Sequence, residues 1–127
     1  MPTPEQLAHF AGMSIWDHFD ELVAGREVTV DRPRGRPHPR IARAVYPLDY
    51  GYLHDTDGGD GDGIDIWLGS AGNLGTTALL CTFDPVKLDA EVKVLWNCDA
   101  EDIAAIEQFY APLAIAVHVV PRPRHAA

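Results

Sequence analysis

Asp60, Asp62 and Asp65 sit close together in the chain, spaced by Gly61 and Gly63, and a second acidic pair, Asp84 and Asp89, follows. Carboxylates this close repel one another, more strongly as water is excluded, so the run needs water, a basic neighbour or a bound cation. The stretch from 55 to 69 contains no Cys or His. Its donors are hard oxygens, which suit Mg²⁺, or Mn²⁺ in its place, better than Zn²⁺. An EF-hand is excluded, because a loop beginning at Asp55 puts Asp60 where glycine is required. Gly58–Gly63 misses the aspartate of a calcium β-roll, and no tandem copy follows. Upstream, residues 26 to 43 hold six arginines, among them Arg32, Arg34, Arg36 and Arg40, with His38 between two prolines. Guanidinium groups match phosphate oxygens in a bidentate way, and metal ions acidify water and clamp phosphate oxygens. Together they point to Mg²⁺-dependent phosphoryl chemistry. No P-loop is present, so nucleotide binding of that type is not indicated.

These residues must be positioned by local elements. Thr3 with Gln6 reads as a capping box ahead of a first helix, with Pro4 at its first position. Ser14 with Asp17 opens a second helix whose apolar face is Ile15, Trp16, Phe19, Leu22 and Val23, and Gly25 stops it. Val28–Val30 is a short strand, and the proline-rich segment 32–40 is an extended loop. Ile64, Ile66 and Leu68 alternate with Asp65 and Trp67, which predicts a half-buried strand with Asp65 opposite the aliphatic residues. Further strands are expected at 77–83, 92–96 and 115–120. A third helix, capped by Asp99 with Asp102, runs to Tyr110 with Ile103, Ile106 and Phe109 on one face. The pattern is α+β and mainly β: a small closed or nearly closed sheet with helices packed on it. It is read as one domain over 1–127, with helical segment 1–25, sheet core 28–96, helix 99–111 and last strand 113–120.

At 127 residues and 46% hydrophobic content, the chain can bury a real core without disulfides. Its net charge of −9 argues against nucleic-acid partners and anionic membranes. Cys81 and Cys98 lack metal-ligand spacing and read as thiols of a reducing compartment. No leader peptide and no apolar run of membrane-spanning length is read, so a cytoplasmic location is expected. The partner expected is a small phosphate substrate, with room for a homo-oligomer.

Tyr46-Pro47-Leu48-Asp49-Tyr50-Gly51-Tyr52, then Asp60-Gly61-Asp62-Gly63-Ile64-Asp65, then Asp84 and Asp89, resembles the soluble (family I) inorganic pyrophosphatases over residues 28 to 93. The resemblance implies a five-stranded, OB-like β-barrel with flanking helices that hydrolyses pyrophosphate with several Mg²⁺ ions. It implies that Asp60, Asp65, Asp84 and Asp89 are metal ligands, Asp62 the general base and Tyr50 a hydrogen-bonding neighbour of that base. Lys93 becomes the phosphate-binding lysine, two residues later than the family pattern. With the arginine loop in the role of phosphate grip, Arg32, His38 and Arg40 join Lys93 as substrate-binding residues.

The chain also departs from the family. Gly63 replaces a proline, and the places of a substrate lysine and a nearby glutamate hold Glu27 and Thr29. Tyr110 is followed by Ala111 where the family has lysine, and His38 takes the offset of a family arginine. Two alternatives to pyrophosphate hydrolysis therefore stand: a non-catalytic metal- or phosphate-binding module, and a hydrolase of another phosphoanhydride.

Overall fold

A computed structural model describes residues 1–59 and 61–124. The chain opens with α1 (Pro4–Phe10), held by the expected capping box: Thr3 Oγ1 accepts from the Gln6 N–H, and Gln6 Oε1 accepts from the Thr3 N–H. Ser14 caps α2 (Ile15–Gly25), and Asp99 with Asp102 caps α3 (Ala100–Tyr110). All three helix starts lie where the side-chain caps predict them, because capping depends only on residues three apart.

The strands are β1 (Val28–Arg32), β2 (Asp49–Leu53), β3 (Asp65–Leu68), β4 (Thr76–Asp84), β5 (Asp89–Trp96) and β6 (Ala116–Pro121). They form one mixed sheet in the order β1-β2-β3-β5-β4-β6. Every neighbouring pair is antiparallel except β3 and β5, which run parallel. This corrects the expectation of a closed five-stranded sheet. Among the described residues six strands are present, and β1 and β6 are the outer strands of a sheet that does not close. The additional strand is β2, which follows Pro47 and carries Gly51 at its centre. Gly51 is required there: a Cβ on it would lie 1.8 Å from the Thr29 carbonyl oxygen, where β1 crosses close by.

Register places Tyr50, Asp65, Trp67, Lys93, Leu95, Leu80 and Thr82 on one face of the sheet. α3 and the segment around Tyr46 cover part of that face. There Trp67, Leu80, Leu95 and Ile106 are fully buried among Tyr46, Phe109 and Tyr110. Trp67 thus shares the Asp65 face and is as buried as Ile66, so β3 is covered on both sides. Asp65 lies on the face opposite Ile66 and Leu68, as the alternation predicts, but that face is covered too and Asp65 stands at the rim of the core. On the opposite face, Leu53, Ile66 and Val94 are buried, and α2 packs near β4.

The proline-rich segment is also more ordered than an open loop. Gly35 N–H donates to Tyr46 O, Tyr46 N–H to Arg36 O and His38 N–H to Ala44 O, with a bridge between Pro37 and Val45. These bonds fold the segment back on itself and bring His38 over the sheet.

Candidate functional site

Where α3 leaves the sheet uncovered, a cavity of about 220 Å³ opens. Its floor is aromatic, built from Tyr46, Tyr50, Phe109 and Tyr110, with the Tyr46 and Phe109 rings 4.5 Å apart. Asp65, Asp84, Asp89, Glu91 and Lys93 supply its charge, and His38 and Lys87 stand at its edge. Three separate stretches of sequence therefore meet here. β2 brings Tyr50, β3 brings Asp65, and the β4–β5 hairpin brings Asp84, Asp89 and Lys93.

Lys93 is the centre of the polar network. Its side chain is 7% exposed, and Nζ donates to Tyr50 Oη at 2.7 Å, Asp65 Oδ2 at 2.8 Å and Glu91 Oε2 at 2.7 Å. Tyr50 Oη in turn donates to the same Asp65 oxygen at 2.6 Å. Burial alone would depress the Lys93 pKa, but Tyr110, Asp65 and Glu91 outweigh it and hold the ammonium charged. The Tyr50 hydroxyl is pushed far above its ordinary value, chiefly by burial and then by Tyr110 and Asp65, so it remains a donor. Tyr110, buried beneath them, is raised to about 12 by burial, and its hydroxyl accepts from Trp67 Nε1.

Asp84 and Asp89 face each other across the β4–β5 ladder, one at each side of the hairpin turn. Asp84 Oδ1 accepts the Val86 and Lys87 N–H groups at 2.9 and 3.1 Å. Those two bonds hold the Asp84 carboxyl below its ordinary pKa. At the edge, His38 Nδ1 accepts from the Arg40 and Ile41 N–H groups at 3.1 and 3.3 Å. Burial lowers the His38 pKa, and the positive charges of Arg32, Arg40 and Lys87 lower it further. The imidazole is neutral with its proton on Nε2, set within a basic patch. Burial raises the Tyr46 hydroxyl pKa, and the nearby Arg32 charge partly offsets that rise.

Of the residues expected from sequence, the structure gathers Tyr50, Asp65, Asp84, Asp89, Lys93 and His38 around one cavity, with Arg32 and Arg40 near His38. Asp62 is exposed and lines an adjoining depression with Asp31, Tyr52 and Gly63, in which Asp65 is the side chain shared with the main cavity. Gly63 is seated against β2, where a Cβ would lie 2.6 Å from the Leu53 carbonyl oxygen. Asp60 lies outside the described residues. Sequence reasoning missed Glu91 and Lys87. The period-two alternation Asp89, Glu91, Lys93 was the available signal for Glu91, since a strand puts all three on one face.

The aspartate run proves to have several separate partners. Asp49 Oδ1 accepts the Arg34 N–H, Asp55 approaches Arg26 at 4.0 Å, Asp57 Oδ1 accepts the Gly59 N–H, and Asp65 pairs with Lys93. Among the described residues, no three His, Cys, Asp or Glu side chains are grouped as a metal cage. By donor type, Asp84 and Asp89 fit a hard divalent cation, because they are partly exposed carboxylates lining one cavity. Asp65 does not offer the same freedom, since its Oδ2 is engaged by Lys93 and Tyr50. Both cysteines are free, and burial, with Asp102 and Asp99 nearby, pushes the Cys98 thiol up to about 12. Among the described residues, no helix is long and apolar enough to cross a membrane. Comparison with protein-family models, with curated proteins and with solved structures finds no match to this chain.

Proposed function

We propose that this chain is a Mg²⁺-dependent hydrolase of phosphoanhydrides, with inorganic pyrophosphate as its substrate. The observation that carries the reading is convergence. Tyr50, Asp65, Asp84, Asp89 and Lys93, drawn from three motifs, line one small cavity edged by His38 and Lys87. The cytoplasmic location belongs to the same proposal.

Within it, the cavity divides the work by charge. Asp84 and Asp89 would hold the divalent cation, with Asp60 as the further ligand that the resemblance implies. When bound, the cation neutralises phosphate oxygens and makes a water more acidic. His38, through its Nε2–H, donates to an anion without itself carrying charge, and Lys87, Arg32 and Arg40 supply the positive field. Asp62, the general base of the resemblance, works from the adjoining depression, where Asp65 is the shared wall. Tyr50 positions Asp65 rather than substrate, because its hydroxyl proton is directed to Asp65 Oδ2.

The test is phosphate release from pyrophosphate with and without Mg²⁺, alongside Asp89→Asn and Asp62→Asn. Turnover that requires Mg²⁺ and falls at least about tenfold in both variants is expected. Nucleoside triphosphates and polyphosphate in the same assay separate pyrophosphate from other phosphoanhydrides. A non-catalytic binding module is the second reading, favoured by the commitment of all the Lys93 donors to protein groups. Background release by the wild type, with cation binding retained, decides for that module.

A further inference from the structure

The Lys93 ammonium has three N–H donors, and three oxygens receive them: Tyr50 Oη, Asp65 Oδ2 and Glu91 Oε2. An ammonium this buried is costly unless it is paired and fully hydrogen-bonded, and here it is both. Asp65 and Glu91 come from adjacent parallel strands, and their charges would repel across the gap that Lys93 fills. A divalent ion entering that gap would have to expel the ammonium, break all three bonds and leave a cation beside a dication.

We propose that Lys93 is the cavity's own cation: its ammonium takes the place between Asp65 and Glu91 that a divalent metal would need, so no metal bridges those two carboxylates. Lys93 is then a specificity-determining residue for metal number and placement. It confines divalent ions to the Asp84 and Asp89 side of the cavity and keeps Asp65 out of the ligand set. It also withholds its own ammonium from the phosphate, which leaves the anion to His38, Lys87, Arg32 and Arg40. The inference concerns the pocket of the proposed hydrolase but does not depend on turnover there.

The experiment counts Mn²⁺ bound by the full chain, using the electron paramagnetic resonance signal of free Mn²⁺. It compares wild type, Lys93→Met and the double variant Lys93→Met/Glu91→Gln, each checked for fold by circular dichroism. Lys93→Met is expected to bind one more Mn²⁺ per chain than wild type, and Glu91→Gln to abolish the extra site. Equal counts in folded wild type and Lys93→Met overturn the proposal. A second measurement needs no variant: the ¹⁵N-lysine NMR signal of the buried Lys93 ammonium should hold its position as Mg²⁺ is raised to saturation. Displacement or loss of that signal by Mg²⁺ overturns the proposal even where Lys93→Met fails to fold. A wild type that binds no divalent ion removes the hydrolase reading, while the gain of a site in Lys93→Met still upholds this one.

Discussion

Arg122 Nη1 donates to Asp20 Oδ2 at 2.7 Å, joining the residue after β6 to α2 across 102 positions of sequence. Arg122 Nη2 also reaches Asp17 at 3.3 Å, and Asp20 Oδ1 accepts the Thr76 N–H at the start of β4. One carboxylate thus holds a helix, a central strand and the chain's last segment. Arg122→Ala is expected to cost about 1 kcal/mol, given partial exposure of the pair, and to lower the melting temperature by several degrees. The contribution also has a pH signature. Burial raises the Asp20 pKa, but Arg122 and Thr76 outweigh it, so the folded value lies below 3.8. Stability from this pair is therefore present above that pH and lost as pH falls through the folded pKa. Melting curves of wild type and variant should differ at pH 7 and converge in strong acid. A gap that persists in strong acid would refute the pairing.

Asp84 has a structural duty apart from any ligand, and two substitutions separate them. An asparagine keeps an oxygen for the Val86 and Lys87 N–H groups, whereas alanine does not. Asp84→Asn should leave the melting temperature nearly unchanged, whereas Asp84→Ala should lower it measurably. Both should weaken Mn²⁺ binding alike, since both remove the charge. Calorimetric titration and thermal melts read the two effects independently, and parallel losses in both would show the roles to be one.

His38 should titrate below 6.5 and show the Nε2–H tautomer at neutral pH, as read from long-range ¹H–¹⁵N NMR. Lys87→Ala and Arg32→Ala should each raise its midpoint by removing a repelling charge. Added phosphate should raise it too, if the anion settles beside the ring. A midpoint above 6.5, or a proton on Nδ1, contradicts the hydrogen bonds from Arg40 and Ile41.

Gly51→Ala should be severely destabilising, by more than about 2 kcal/mol, because its Cβ meets the Thr29 backbone rather than a movable side chain. Gly59→Ala is the contrast. No atom stands within 4 Å of its added Cβ, and its cost is limited to the strain of a positive φ. Comparable denaturation midpoints for the two variants would argue against the close approach of β1 and β2.

What could be read in advance was what depends on near neighbours. Thr3, Ser14 and Asp99 announce their helices because each cap bonds a backbone N–H three residues on. Ile64, Ile66 and Leu68 announce β3 by alternation. β2 was hidden, since Gly51 looks like a breaker until Thr29 is seen pressing on it from β1. β5 begins at Asp89 rather than Val92, and those three residues decide that Asp89 and Glu91 share the Lys93 face. The candidate site was legible as a set of residue types, because the aspartate and tyrosine motifs are contiguous. Its wiring was not: the contact between Asp65 and Lys93 exists only because β3 and β5 are parallel neighbours. No local pattern encodes that pairing.

The same pairing has a consequence during synthesis. β5 lies between β3 and β4, both of which precede it in the chain and neither of which pairs with the other. Until β5 emerges from the ribosome, the nascent chain holds the half-sheet β1-β2-β3 and a lone β4, whose two partners both follow it, each with an apolar open edge. Such edges are sticky, so the interval is when this protein is most exposed to aggregation. Docking of β5 closes the open edge of β3 and one edge of β4, and delivers Lys93 to Asp65 in the same event; the other edge of β4 waits for β6. The cavity is thus absent from every shorter nascent chain: its charged wall forms as the keystone strand goes in, and α3 then adds the floor of Phe109 and Tyr110.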